Sequence, residues 1–103
     1  MAWIRVCAAD IAAGECKGVA ADGVPVAVYN IDGTLRATSN ICTHQEALLS
    51  EGYLEDGFIE CPLHQGRFNV VTGEAQGDPV TEPIKVYPVR VQDGHVEVQV
   101  DAG

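Results

Sequence analysis

Positive charge is scarce in this chain. Of 103 residues, 6 are Lys or Arg and 15 are Asp or Glu, for a formal net charge of −9. That balance argues against nucleic acid, whose phosphates would be repelled. Long apolar runs are missing too. No stretch approaches ~20 consecutive apolar residues, so no segment reads as a membrane-spanning helix. Met1 to Gly14 has no basic stretch followed by an apolar core of signal-peptide length, and a cytoplasmic protein is expected. No convincing helical stripe exceeds about two turns. No Gly-rich flavin or nicotinamide fingerprint is present, so the chain cannot collect hydride itself. Repeats and low-complexity tracts are absent. Four cysteines without a signal peptide argue against a disulfide framework.

What remains is a small β-rich protein. The length suits one domain, and 47% apolar residues make it globular rather than disordered. Asp-Gly occurs at 22–23, 32–33, 56–57 and 93–94. Between apolar runs this dipeptide signals a two-residue hairpin, because a type I′ turn needs positive φ at both central positions. Val24 to Ile31 and Ile84 to Val91 have strand composition. In His95 to Val100, Val96, Val98 and Val100 face one way and His95, Glu97 and Gln99 the other. Asp10 to Ala13 and Ala47 to Leu49 are read as single turns, and Gly52 as a turn residue. The expected fold class is all-β: an antiparallel base, 1–39 and 84–103, carrying an inserted lobe, 40–83.

The charge is uneven. The lobe holds Glu46, Glu51, Glu55, Asp56, Glu60, Glu74, Asp78 and Glu82 against Arg67 alone, or −7; the rest of the chain carries −2. Such a surface suits a basic protein partner or simply keeps a small protein dissolved.

Two short pairs carry the chemistry. Cys42-Thr43-His44 and Cys61-Pro62-Leu63-His64 form C-x-H, sixteen intervening residues, then C-x-x-H. A site built from both has two sulfur and two nitrogen ligands. That set fits a tetrahedral zinc, or a two-iron cluster with both Cys on one iron and both His on the other. Structural zinc sites more often group like ligands in C-x₂₋₄-C or H-x₃₋₅-H pairs. Here each pair is mixed, so two loops can clamp a cluster from opposite sides. The pattern favours the cluster, with zinc as the alternative.

The two pairs, extended to Gln65-Gly66-Arg67-Phe68 and Thr72-Gly73, resemble the cluster-binding boxes of the Rieske family. The likeness is greatest to the small Rieske-type ferredoxins that serve bacterial aromatic-ring dioxygenases. It covers essentially the whole chain, including Gly52-Tyr53-Leu54 and Ile84 to Val89. The resemblance implies a Rieske fold and one [2Fe-2S] cluster. Cys42 and Cys61 would ligate an inner iron, and His44 and His64 an outer iron that takes the added electron. It also implies transient partners: a flavoprotein ferredoxin reductase fed by NADH or NADPH, and a terminal oxygenase. Respiratory members of the family carry an extra Cys in each box, joined by a disulfide; Ala47 and Leu63 stand there in this chain. Their Ser and Tyr, which hydrogen-bond sulfur, are replaced by Gly66 and Phe68. Fewer such bonds imply a lower reduction potential.

Other functions find little support. An oxygenase would also need a non-haem iron on two His and a carboxylate. Of three His in the chain, two belong to the pairs, and His95 reads as an exposed turn residue on an edge-like strand. Cys7 reads as a small core residue and Cys16 as a strand or loop residue, neither with a partnering His. Trp3 and Tyr87 read as packing. No catalytic residue is assigned. The alternatives to a shuttling ferredoxin are a fixed Rieske subunit of a larger redox enzyme, of the nitrite-reductase kind, and a zinc-stabilised binding module.

Overall fold

A computed structural model describes residues 3–41, 48–62, 66–76 and 83–100. Among the described residues, eleven short strands form three antiparallel sheets. The first is β1 (Ile4–Ala8), β11 (His95–Val98) and β10 (Val89–Gln92), with β11 in the centre. The second runs β2 (Cys16–Ala21), β3 (Val24–Ile31), β4 (Thr34–Ser39) and β9 (Val86–Tyr87). The third is β5 (Tyr53–Glu55), β6 (Phe58–Glu60), β7 (Arg67–Asn69) and β8 (Ala75–Gln76). Among the described residues the single helical element is a 3₁₀ turn, Leu49–Glu51. No helix there is long and apolar enough to cross a membrane.

The Asp-Gly pairs make the hairpins. Asp22, Asp32, Asp56 and Asp93 lie at φ 51–55°, each followed by a glycine with positive φ. They join β2 to β3, β3 to β4, β5 to β6 and β10 to β11. This is the turn geometry that the right-handed strand twist selects.

The second sheet is the middle layer. Strand β3 alternates between two cores, because successive side chains point to opposite faces. Val26 and Val28 pack with Ala21, Ala37, Tyr87, Val96 and Val98 toward the first sheet. Ala27 and Tyr29 pack with Leu49, Ile59, Cys61, Phe68, Val70 and Ile84 toward the third. Each fully buried aliphatic side chain contributes about 1.5–3 kcal/mol of transfer free energy. The Tyr29 hydroxyl lies 2.9 Å from Thr38 Oγ1, so its polar end is satisfied inside the core. Burial holds its phenol far above the ordinary range.

Four expectations change. The run Ile84 to Val91 is not one strand. It breaks at Pro88, whose carbonyl accepts from the Gln99 N–H at 3.1 Å. Before the proline, β9 pairs with β4; after it, β10 pairs with β11. Proline cannot donate to a ladder, so the chain changes sheets there. Second, β11 is a central strand rather than an edge, and His95 is half-buried with Nδ1 3.0 Å from the Asp93 carbonyl. Third, Glu97 does not face water: it is 7% exposed. Arg5 and Arg90 stand opposite it on the flanking strands. Both Nε and Nη2 of Arg90 are 2.8 Å from its Oε1, and Arg5 Nε is 3.5 Å from Oε2. Trp3 covers Arg90, the guanidinium 4.4 Å from a ring centroid. Last, Gly52 closes the 3₁₀ turn, its N–H donating to the Leu49 carbonyl at 2.9 Å, but its own backbone is extended, with φ −91°. Its small size is needed because a Cβ there would run into the Glu60 carbonyl.

Candidate metal centre

The third sheet carries the second Cys/His box, between β6 and β7, and the first lies between β4 and the 3₁₀ turn. Strand β6 delivers Cys61, the residue after its last member, into the core beneath that sheet. Cys61 is fully buried and packs in one cluster with Phe68 and with Leu49, which follows the first box. The cluster thus joins the described flank of one box to a candidate ligand of the other. Cys42, His44 and His64 lie outside the described residues, as do Ala47 and Leu63.

Both boxes are closed by hydrogen bonds. In the second, the Cys61 N–H donates to the buried Gly66 carbonyl at 2.8 Å, across residues 62–65. The first is closed by an antiparallel bridge between Ile41 and Leu48, in which the Leu49 N–H donates to the Asn40 carbonyl at 2.8 Å. The Asn40 side chain adds two bonds to Ser50: Oδ1 accepts from its N–H at 2.7 Å, and Nδ2 donates to its Oγ at 3.0 Å. The sequence reading passed over Asn40. An amide two residues before the candidate ligand Cys42 and a serine eight after it are the signal, and they acquire meaning only when the loop ends meet.

The remaining candidates have structural roles. Cys7 and Cys16 carry free thiols, each with its pKa raised, chiefly by burial. A protonated thiol is neither a nucleophile nor a ligand. Cys7 packs against the core between the first and second sheets; Cys16 donates to the Ser50 carbonyl, Sγ to O 3.4 Å. Tyr87 is core and Trp3 is packing, as expected. Among the described residues no group of three or more His, Cys, Asp or Glu is placed to hold a metal ion.

The buried candidate donor fits a bound metal. A thiolate at Cys61 would be out of water, where an isolated charge is costly and a bound metal cation offsets it.

Comparison with known proteins decides the family. The model of the Rieske [2Fe-2S] domain matches residues 2–88. The chain belongs to the Rieske [2Fe-2S] domain family.

Its relatives include the ferredoxin component of the naphthalene 1,2-dioxygenase system of Pseudomonas putida, 48% identical over 95% of both chains. Among solved structures, the complex of reduced oxygenase and oxidized ferredoxin in carbazole 1,9a-dioxygenase contains a chain matching at 44% identity and TM-score 0.87, covering 93% of this chain and 100% of that one. A putative NADH-dependent nitrite reductase small subunit from Mycobacterium tuberculosis matches at 29% identity and TM-score 0.83, over 94% and 93% of the chains. The Rieske domain's cofactor is the two-iron cluster, so the zinc alternative falls. The close relatives are electron-carrier components of dioxygenase systems, not enzymes in their own right.

Proposed function

We propose that this Rieske protein is a cytoplasmic one-electron shuttle. It takes electrons from an NAD(P)H-dependent flavoprotein reductase and gives them to a terminal oxygenase acting on an aromatic ring, binding each partner transiently. The lobe, 40–83, holds the cluster through Cys42, His44, Cys61 and His64, and the base, 1–39 and 84–103, supports it. The observation that carries the reading is the likeness to dioxygenase ferredoxins across 95% of the chain, with the second-box Cys61 buried against the flank of the first.

The chain's own residues account for several requirements. Ile59, Phe68, Val70 and Leu49 exclude water from the inner side of the site. Gly66 and Phe68 provide no hydroxyl toward sulfur, which leaves the oxidised state relatively favoured. The acidic lobe gives a basic partner an electrostatic approach. When bound, a two-iron cluster on two thiolates and two imidazoles accepts and releases one electron.

The test is complementation. Purified chain replaces the ferredoxin of a reconstituted naphthalene dioxygenase system containing its reductase and oxygenase. Substrate-dependent oxygen uptake should return and saturate with added chain, and gel filtration should show it separating from both partners. Stoichiometric co-elution with a redox enzyme would favour the fixed-subunit alternative, for which the 29% likeness to the nitrite reductase small subunit is the observation.

A further inference from the structure

We infer that Asn40 is a positioning residue that clasps the first ligand box shut, an inference that rests on the reading of Cys42 and His44 as ligands. The box spans 42–47, between Ile41 and Leu48. One isolated bridge between those two residues is a weak closure for a loop that must aim a thiolate and an imidazole. The Asn40 carbonyl makes the described backbone bond of that bridge, and the Asn40 side chain adds two more across the same neck. Its carbonyl accepts from the Leu49 N–H at 2.8 Å. Its side chain takes both the N–H and the Oγ of Ser50, at 2.7 and 3.0 Å. A fourth bond, from the Asn40 N–H to the Pro25 carbonyl at 3.1 Å, ties the neck to the middle sheet.

The surroundings are fitted to this clasp. Asn40 is 4% exposed, so water does not compete for its amide. Gly18 on β2 lies against it: a Cβ there would stand 2.6 Å from Ser50 Oγ and 2.9 Å from Asn40 Nδ2. The Cys16 thiol donates to the Ser50 carbonyl from the same strand. Ligands must be held within about 0.5 Å of their working geometry by groups that are themselves locked. Fixing the neck also lowers the entropy lost when the box closes on the metal.

The test compares holoproteins: wild type, Asn40→Ala, Ser50→Ala and Asn30→Ala. Asn30 is a matched control at the far end of β3. Its Nδ2 donates to the Ile11 carbonyl at 2.6 Å and its Oδ1 accepts from the Gly33 N–H at 2.8 Å, and neither bond touches the described neck of the first box. Cluster release to an excess of iron chelator is followed by visible absorbance, unfolding by denaturant titration, and the reduced centre by its paramagnetic resonance line shape. Asn40→Ala should release iron about tenfold faster than wild type, the loss of two ordinary hydrogen bonds, with a broadened resonance. Ser50→Ala should release it a few-fold faster. Asn30→Ala should keep the wild-type rate and line shape while still losing measurable global stability. Equal acceleration in Asn30→Ala would mean that release follows global unfolding, and the clasp is overturned; a wild-type rate in Asn40→Ala overturns it directly. If Asn40→Ala does not fold, Ser50→Ala against Asn30→Ala makes the same comparison. A cluster retained by Cys42→Ala sinks the ligand assignment instead, and with it the clasp.

Discussion

The two cores of this protein are built by different means. Between the first and second sheets, strands of four to eight residues bring Val26, Val28, Val96 and Val98 together in an apolar layer that needs nothing but the chain. Beneath the third sheet, strands of two or three residues hold Ile59, Phe68 and Cys61. Strands that short bury little surface and pair through few bonds. One of the buried residues there is itself a proposed ligand. On the proposed ligand assignment, the first core should stand without the metal centre and the second should gain stability from it, because ligand binding is then folding free energy.

The largest expected effect separates the two. Stripping the cluster with a chelator under reducing conditions should raise amide exchange at Ile59 and Phe68 by about a hundredfold, the range of local opening in a weakly supported unit. Amides of Val26 and Val28 should change by no more than a few-fold. Uniform deprotection of both regions would mean one cooperative core, and the distinction would fail.

Second is Glu97→Ala, which leaves Arg5 and Arg90 without their carboxylate. The arginines are about half-exposed, so water recovers part of the loss, and we expect about 2 kcal/mol of destabilisation. Iron content should stay at the wild-type level because the pair belongs to the first sheet. A denaturant titration of the holoprotein measures both. Loss of iron in step with stability would show that the first core and the metal centre are not separable.

Third, Gly66→Ser should raise the reduction potential by placing a hydroxyl near sulfur, and Phe68→Tyr should act in the same direction. A tenfold preference for the reduced state corresponds to roughly 60 mV for one electron. Redox titration gives the sign; a fall would contradict the correspondence of the second box with the hydroxyl-bearing branch of the family. His64→Cys should lower the potential, since a thiolate adds negative charge at the iron that is reduced.

The smallest effect concerns partners. Exposed charges are screened over about 8–10 Å at physiological ionic strength, so electron-transfer rates should fall as salt rises. Charge reversal at Glu46 or Glu82 should slow transfer, and reversal at the exposed base residue Glu15 should not. Glu97 cannot serve as that control, being a buried partner of two arginines. Stopped-flow rates that are flat with salt, or alike in all three variants, would assign docking to apolar contact.

The four hairpins were legible because Asp-Gly carries its backbone requirement within two residues, and all four adopt it. The Val96 and Val98 face was legible from period two. The partner of each strand was not. The sheet change at Pro88 and the flanking of Glu97 by Arg5 and Arg90 depend on residues far apart in sequence, and alternation alone assigned Glu97 to water. The two-iron cofactor was legible from the motif, since mixed Cys/His pairs are rare and specific, whereas Cys42, His44 and His64 lie outside the described residues. The Asn40 to Ser50 bonds were not legible, because an isolated Asn beside an Ile carries no periodic or compositional mark.

The most direct test of the account is elemental. Purified protein, analysed for iron, zinc and acid-labile sulfide with its visible spectrum, should be reddish brown with about two iron and about two sulfide per chain, as a two-Cys, two-His cluster requires. Stoichiometric zinc in a colourless sample would contradict it.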